Sequence, residues 1–332
     1  MVDRKTNHTS TARHLSIPYD KSAAVVVLPA VGGGRLKDNA LRRWLARGDL
    51  TQLTEPRELL GRILEALNIP CPESGFGALR MWGQTGDRPT VWIAAADPIY
   101  LEPRLDHLCV HAQDADTVPA TDLRPLVDYL QATLGSDSQF GFARLGTNGY
   151  LRSETPIGTA DVPPYVAHLE LPNDYQPSGE GAVEFRNLVS EIEMSLHDHE
   201  VNLRRQDEGL QPVNSLWLWG GGFAPEQQTE PHPPLFSNDP LLTGYWLSKT
   251  GVVANWPGDI ASCVEASVAG FVAVLPDKDD PVLLDNCLRE LRVLLRSGRL
   301  SRLTLMFRDG IEATVERSHR VRVWRRSSSL LD

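Results

Sequence analysis

The stretch AAVVVLPAVGGGRLKDNALRRWLARG, residues 23–48, constrains the fold more than any other. AAVVVL is an unbroken apolar run, and a strand can be apolar at every position only if both of its faces are covered. Gly32, Gly33 and Gly34 follow almost at once. Beyond them Leu36, Ala40, Leu41, Trp44 and Leu45 recur at helical spacing, and Gly48 offers a stop. A doubly buried strand, a glycine turn and an amphipathic helix in succession open an α/β unit.

The remainder continues that alternation. EPRELLGRILEALNIP supplies a second helix, ended by Pro70. GALRMWG, TVWIAA and DHLCVH read as strands, and DLRPLVDYLQATL as a helix. FGFARLGTNGYLRS reads as a hairpin turning near Asn148 and Gly149. VEFRNLVSEIEMSLHDHEVNLRRQDEG is the longest helical signal, with Phe185, Leu188, Val189, Ile192 and Leu196 in one stripe. After the strand VNSLWLW, the helices LLTGYWLSKTG, GDIASCVEAS and DPVLLDNCLRELRVLLRSG alternate with the strands GFVAVL and SRLTLMF, and a last strand pair turns at Asp309-Gly310. The pattern predicts an α/β fold with a mixed, mostly parallel sheet flanked by helices. The expected organisation is a flexible leader over 1–20, one α/β domain over 21–326 with a Pro/Gly-rich connection at 155–182, and a tail over 327–332.

Charge narrows the partners. Lys plus Arg number 33 against 43 Asp plus Glu, a net charge of −10. An acidic surface repels phosphate backbones, so nucleic acid is not expected. The basic segment RSHRVRVWRR reads as a final strand with a solvated charged face. Cys71, Cys109, Cys263 and Cys287 are far apart, with no Cys-x-x-Cys pair to hold zinc or cycle through a disulfide. The longest apolar run, 23–31, is too short to span a bilayer. The expectation is a cytoplasmic protein with no membrane contact and no cofactor.

Candidate sites are few. Gly32, Gly33 and Gly34 lie between strand and helix, where backbone amides can hold an anion, although neither a dinucleotide nor a P-loop motif is spelled. Gly220, Gly221 and Gly222 follow the WLW strand, at the carboxyl end where open sheets place ligands. The two turns are expected to share one sheet edge. Asn202, Arg204 and Arg205 add polar and cationic groups just before that strand. His107, Cys109 and His111 share a strand face, but the two histidines stand about 13 Å apart on a strand, too far to share an ion. No metal is assigned to them.

As a whole, HDHEVNLRRQDEGLQPVNSLWLWGGG (197–222) and AAADPIYLEPRLDHL (94–108) resemble segments of the RpfE-type regulatory proteins, a bacterial group described as phosphoglycerate-mutase-like. That group is similar to the cofactor-independent phosphoglycerate mutases of the alkaline phosphatase superfamily, which carry an Asn-x-Arg, Asn, Trp-Gly-x-Gly segment matched here by Asn202, Arg204, Asn214, Trp219, Gly220 and Gly222. The resemblance implies a three-layer α/β/α sandwich, alkaline-phosphatase-like, and a two-metal phosphoryl-transfer site. The superfamily's first-strand metal-binding aspartate and its Ser/Thr nucleophile have no match between Val25 and Leu36. The later stretches keep Asp277, Asp280 and Asp309 without a histidine. The reading is therefore a non-catalytic regulatory or small-anion-binding protein on a degenerate scaffold, with ligand residues Gly32, Gly33, Gly34, Asn202, Arg204, Asn214, Gly220, Gly221 and Gly222 and a small anion or a protein as partner. The alternative is a metal-dependent phosphomutase or phosphatase.

Overall fold

A computed structural model describes residues 22–331 except 136–138, 180, 268, 269, 279 and 326. The expected leader lies outside the described residues. Along the chain run β1 (Ala23–Leu28), α1 (Asn39–Ala46), β2 (Asp49–Gln52), α2 (Leu59–Ala66), α3 (Phe76–Thr85), β3 (Trp92–Pro103), β4 (Leu108–Ala112), α4 (Ala120–Thr133), β5 (Phe140–Leu145) and β6 (Asn148–Ser153). There follow α5 (Ala182–His197), α6 (Glu200–Asp207), β7 (Ser215–Gly222), β8 (Leu235–Phe236), α7 (Pro240–Leu247), β9 (Val253–Ala254), α8 (Ile260–Ala266), β10 (Val272–Val274), α9 (Pro281–Ser297), β11 (Arg302–Phe307) and β12 (Ile311–Glu316).

The larger sheet is mixed and largely parallel, in the order β2-β12-β11-β1-β10-β8-β9. Only the β11–β12 and β12–β2 pairs are antiparallel. β1 lies between β10 and β11, which explains its unbroken apolar run. Ala24, Val26 and Leu28 join the core built with α1, α8 and α9, while Val25 and Val27 join the core on the opposite face. The α/β architecture, a mixed sheet flanked by helices, is as the alternation predicts.

A second, wholly antiparallel sheet forms from β4, β3, β6, β5 and β7. The long strand β3 organises it. On one edge β6 pairs with Trp92 to Ala95 and β4 with Ile99 to Pro103; β7 takes the other edge. Asp97 and Pro98 sit at the gap between β6 and β4. One face of this sheet packs α4 and α5. The other, with Ile93, Ala95, Trp217 and Trp219, shares a core with α2, α3, α7 and the larger sheet.

Three local expectations are corrected. GALRMWG is helical, in α3. Its glycines are not strand boundaries but contact points. A Cβ on Gly83 would lie 1.9 Å from the Pro240 carbonyl oxygen, and one on Gly244 1.8 Å from that of Leu79, so α3 and α7 approach backbone to backbone. The longest predicted helix breaks at Asp198, and His199 caps α6 by accepting from the Val201 N–H. The basic segment is not a strand: Arg317–Val321 is a 3-10 turn held by a reciprocal Glu316–His319 capping box. There a local side-chain-to-backbone pairing overrides the alternating pattern. No helix among the described residues is long and apolar enough to cross a membrane.

Candidate active site

The two sheets leave a cleft of about 520 Å³ between them, lined by Glu58, Arg80, Asp97, His168, Trp219, Asp239 and Arg308 among others. Its floor is fixed. Arg80 Nη1 donates to both Asp97 oxygens at 2.8 Å, and Nη2 donates to the Gly149 carbonyl at 2.7 Å. Trp219 Nε1 donates to Asp97 Oδ2 at 2.7 Å. The Arg80 guanidinium also stacks over Tyr150 and Trp219, at 4.8 and 5.6 Å from the ring centres. Asp97 reaches inward because strand alternation puts it on the β3 face of Ile93, Ala95 and Ile99, the face turned toward the larger sheet.

Two helices start at this cleft with carboxylate caps. Glu58 accepts from the Leu60 and Gly61 N–H groups at 2.7 Å, and Asp239 accepts from Leu241 and Leu242. Burial pushes the Glu58 carboxyl up to about 7; the two amides pull it down and the charge of Asp239 pushes it up again. A carboxyl that changes protonation near neutrality, in a cleft, is suited to proton transfer. The Tyr165 hydroxyl accepts from the Leu59 N–H beside it at 3.0 Å. Arg308, at the end of β11, brings a guanidinium to the same space, 3.7 Å from Asp277.

Outside the cleft lining, on the β3–β4 face opposite Leu101 and Val110, a metal-competent group assembles. Glu102, Cys109 and His111 offer a carboxylate oxygen, a thiol sulfur and an imidazole nitrogen, all within 4.8 Å of one another. Glu102 pairs directly with Cys109 across the ladder, and its Oε2 lies 2.7 Å from His111 Nε2. That hydrogen bond, with Arg104 also at 2.7 Å, holds the Glu102 carboxyl below its ordinary range. The His168 ring, centred 5.7 Å from that of His111, links the group to the cleft wall, and its Nδ1 accepts from the Ala112 N–H. A mixed sulfur, nitrogen and oxygen set with a coordination position to spare suits a borderline-soft divalent cation such as Zn²⁺.

Sequence spacing considered His107, Cys109 and His111 together and assigned no metal. His107 instead points to Asp106, 2.6 Å away, and the third ligand is Glu102 from the neighbouring strand. The signal lay in cross-strand register, which periodicity within one strand cannot supply.

The predicted ligand residues do not come together. Gly32, Gly33 and Gly34 turn at the end of β1 in the larger sheet, whereas Gly220, Gly221 and Gly222 lie within β7 of the smaller one. The expected shared edge is therefore not formed. The first turn does hold an anion, but an internal one: the Val31 and Gly32 N–H groups donate to Asp309 Oδ2 at 2.8 and 2.7 Å. The second set is packed rather than open. Added Cβ atoms at Gly220, Gly221 and Gly222 would lie 2.6, 2.3 and 2.6 Å from Phe76, Trp92 and Gly75. Asn202 is buried and bonded to Leu196 and Val213, Arg204 pairs with Asp122, and Asn214 clamps Leu101 through both its N–H and its carbonyl.

The two-metal arrangement of the alkaline phosphatase superfamily does not fit the residues at the β1 edge. Asp309 is committed to the glycine turn, Asp280 caps α9 through Val282 and Leu283, and Asp277 faces Arg308.

Comparison with known proteins places the chain among distant relatives of one enzyme group. No protein-family model matches it. It is 29% identical over 124 residues to the 2,3-bisphosphoglycerate-independent phosphoglycerate mutase of Methanosarcina barkeri, covering 37% of this chain and 31% of that protein. It is 28% identical over 128 residues to the probable 2,3-bisphosphoglycerate-independent phosphoglycerate mutase of Geobacter sulfurreducens, covering 38% of this chain and 32% of that one. The chain thus matches about a third of the length of these relatives. The PH0037 protein from Pyrococcus horikoshii overlays with a TM-score of 0.51 at 13% identity, over 90% of this chain and 88% of that one, a likeness of fold. The chain is distantly related to the phosphoglycerate mutases. The expectation of a non-catalytic protein is corrected by two findings together: this kinship with an enzyme group, and a metal-competent Glu102–Cys109–His111 group.

Proposed function

We propose that this distant relative of the phosphoglycerate mutases is a metal-dependent mutase or phosphatase acting on a small phosphorylated substrate in the cleft between its sheets. The observation that carries the reading is the convergence of Glu102, Cys109 and His111 donor atoms within 4.8 Å of one another. The cation would supply Lewis-acid stabilisation of charge on a phosphoryl oxygen. Within the chain, Arg308 would hold the phosphate through charge-assisted hydrogen bonds, exchanging its contact with Asp277. Glu58, with its carboxyl near neutrality, would take up or release the proton of the transfer. The Arg80–Asp97–Trp219 lattice would keep the floor rigid, since its members are already paired with one another. The segments 94–108 and 197–222, which carry the RpfE-type likeness together with AVVVLPAVGGG…LRRWLARG and HRVRVWRR, build β3, α6 and β7.

The test is turnover of p-nitrophenyl phosphate and of 2- and 3-phosphoglycerate with zinc, manganese or magnesium supplied. The reading expects metal-stimulated release or transfer of phosphate, abolished by His111→Ala and strongly reduced by Glu58→Gln. Absence of turnover with every cation, in a protein that also binds none, overturns it.

A further inference from the structure

On the face of the larger sheet opposite the cleft, α1, α9 and the turn after β12 enclose a pocket of about 430 Å³. Arg43 and Arg47 reach it from α1 and its end, Arg292 and Arg296 from α9, and Arg317 and Arg320 from the 3-10 turn. Trp44, half-buried, forms part of its apolar wall. Among the described residues, no carboxylate lies within 4.0 Å of any of these six guanidinium groups.

The nearby acids are engaged elsewhere. Asp49 already faces Arg322, Arg325 and His319, Asp38 faces Arg289, and Glu316 serves the capping box. The Nε atoms of Arg47 and Arg292 are buried without a hydrogen-bond partner. Burial and then the neighbouring Arg296 push the Arg292 guanidinium below its ordinary range, a sign that the cations repel one another. Helix dipoles account for a cation at a helix's last turn, the positions of Arg43 and Arg296. They do not account for Arg317 and Arg320, which a local turn delivers to the same pocket. Gathering six like charges around one pocket costs energy unless an anion completes the set.

We infer that this pocket binds a polyphosphate-bearing small molecule with a flat ring, the chemistry of a nucleoside di- or triphosphate. The guanidinium groups would take the phosphates in bidentate pairs, and the Trp44 indole offers a face for the ring. The volume lies in the range of small-molecule sites. The site is separate from the cleft, and the β1, β10 and β11 strands lie between them. Its existence does not depend on the proposed reaction.

The experiment is calorimetric titration at low salt with adenosine triphosphate, tripolyphosphate, adenosine and a short single-stranded oligonucleotide. The triphosphate is expected to bind saturably, tripolyphosphate more weakly and adenosine not detectably. Arg43→Gln and Arg296→Gln, at exposed positions, should each weaken triphosphate binding about tenfold or more while leaving the unliganded melting midpoint unchanged. Arg320→Gln gives an independent variant with the same expectation. Trp44→Leu should bring the triphosphate down to the affinity of tripolyphosphate. The inference is overturned if neither polyphosphate binds, or if the arginine variants bind as the wild type does. It is also overturned if the oligonucleotide binds more tightly than the triphosphate and loses that binding in the same variants, which would make the surface a nucleic-acid contact.

Discussion

Glu102 Oε2 lies 2.7 Å from His111 Nε2, across a ladder in which Glu102 stands opposite Cys109. The contact is short because neighbouring strands stand less than 5 Å apart, whereas residues along one strand separate quickly. It converts a sulfur and a nitrogen on β4 into a three-donor group. Zinc added to the protein should therefore bind at a single site and raise the melting midpoint, by an amount equivalent to about 2.7 kcal/mol when zinc is at a hundred times its Kd. Cys109→Ala or His111→Ala should weaken binding at least about a hundredfold. Undiminished affinity in both variants, measured by competition with a chromophoric chelator, would remove this group from consideration.

The buried Arg80–Asp97 pair sets up a second expectation. Asp97→Ala deprives Arg80 Nη1 and Trp219 Nε1 of their acceptor and leaves a cation without a counter-charge. Breaking a buried pair from one side typically costs about 3–5 kcal/mol, while replacing both partners with apolar residues can be close to neutral. Urea denaturation should show the large loss in Asp97→Ala and substantial recovery in the double variant Arg80→Met/Asp97→Leu. A loss below about 1 kcal/mol in the single variant would mean that the pair is solvated.

Glu58 makes stability depend on pH in a stated direction. Its folded pKa of about 7 stands above the ordinary 4.5, so the folded state binds the proton more tightly than the unfolded chain. This group's contribution is fully present below pH 4.5 and is lost as pH rises through about 7. The wild type should lose stability relative to Glu58→Gln between pH 4.5 and 7, by no more than about 3 kcal/mol. A stability difference between the two proteins that stays flat across that window would show that the carboxyl ionises as if it were in water.

Asn202 and Arg204 are near in sequence and differ in consequence. The Asn202 side chain donates to the Leu196 and Val213 carbonyls and accepts from the Val213 N–H, all within 2.9 Å and buried. Asn202→Leu should cost about 1–3 kcal/mol through the backbone groups it strands. Arg204 has a half-exposed side chain and one ion pair, to Asp122, so Arg204→Gln should cost less than about 1 kcal/mol. Thermal melts that rank the two substitutions in the opposite order would contradict these roles.

The sequence by itself determined the α/β alternation, the doubly buried β1 and the β5–β6 hairpin. Each follows from periodicity or turn chemistry acting over a few residues, which is local information. Two sheets rather than one, and a helix at Phe76–Thr85, were decided by tertiary packing, because only the approach of α7 gives Gly83 its meaning. The candidate site belongs to the same category. Glu102 meets Cys109 and His111 through strand register, Glu58 and Asp239 meet at the starts of two helices far apart in the chain, and the arginines of α1, α9 and the C-terminal turn meet behind the sheet. Distances between side chains on different elements are fixed by how those elements pack, and a pattern read along one segment carries no record of its neighbours.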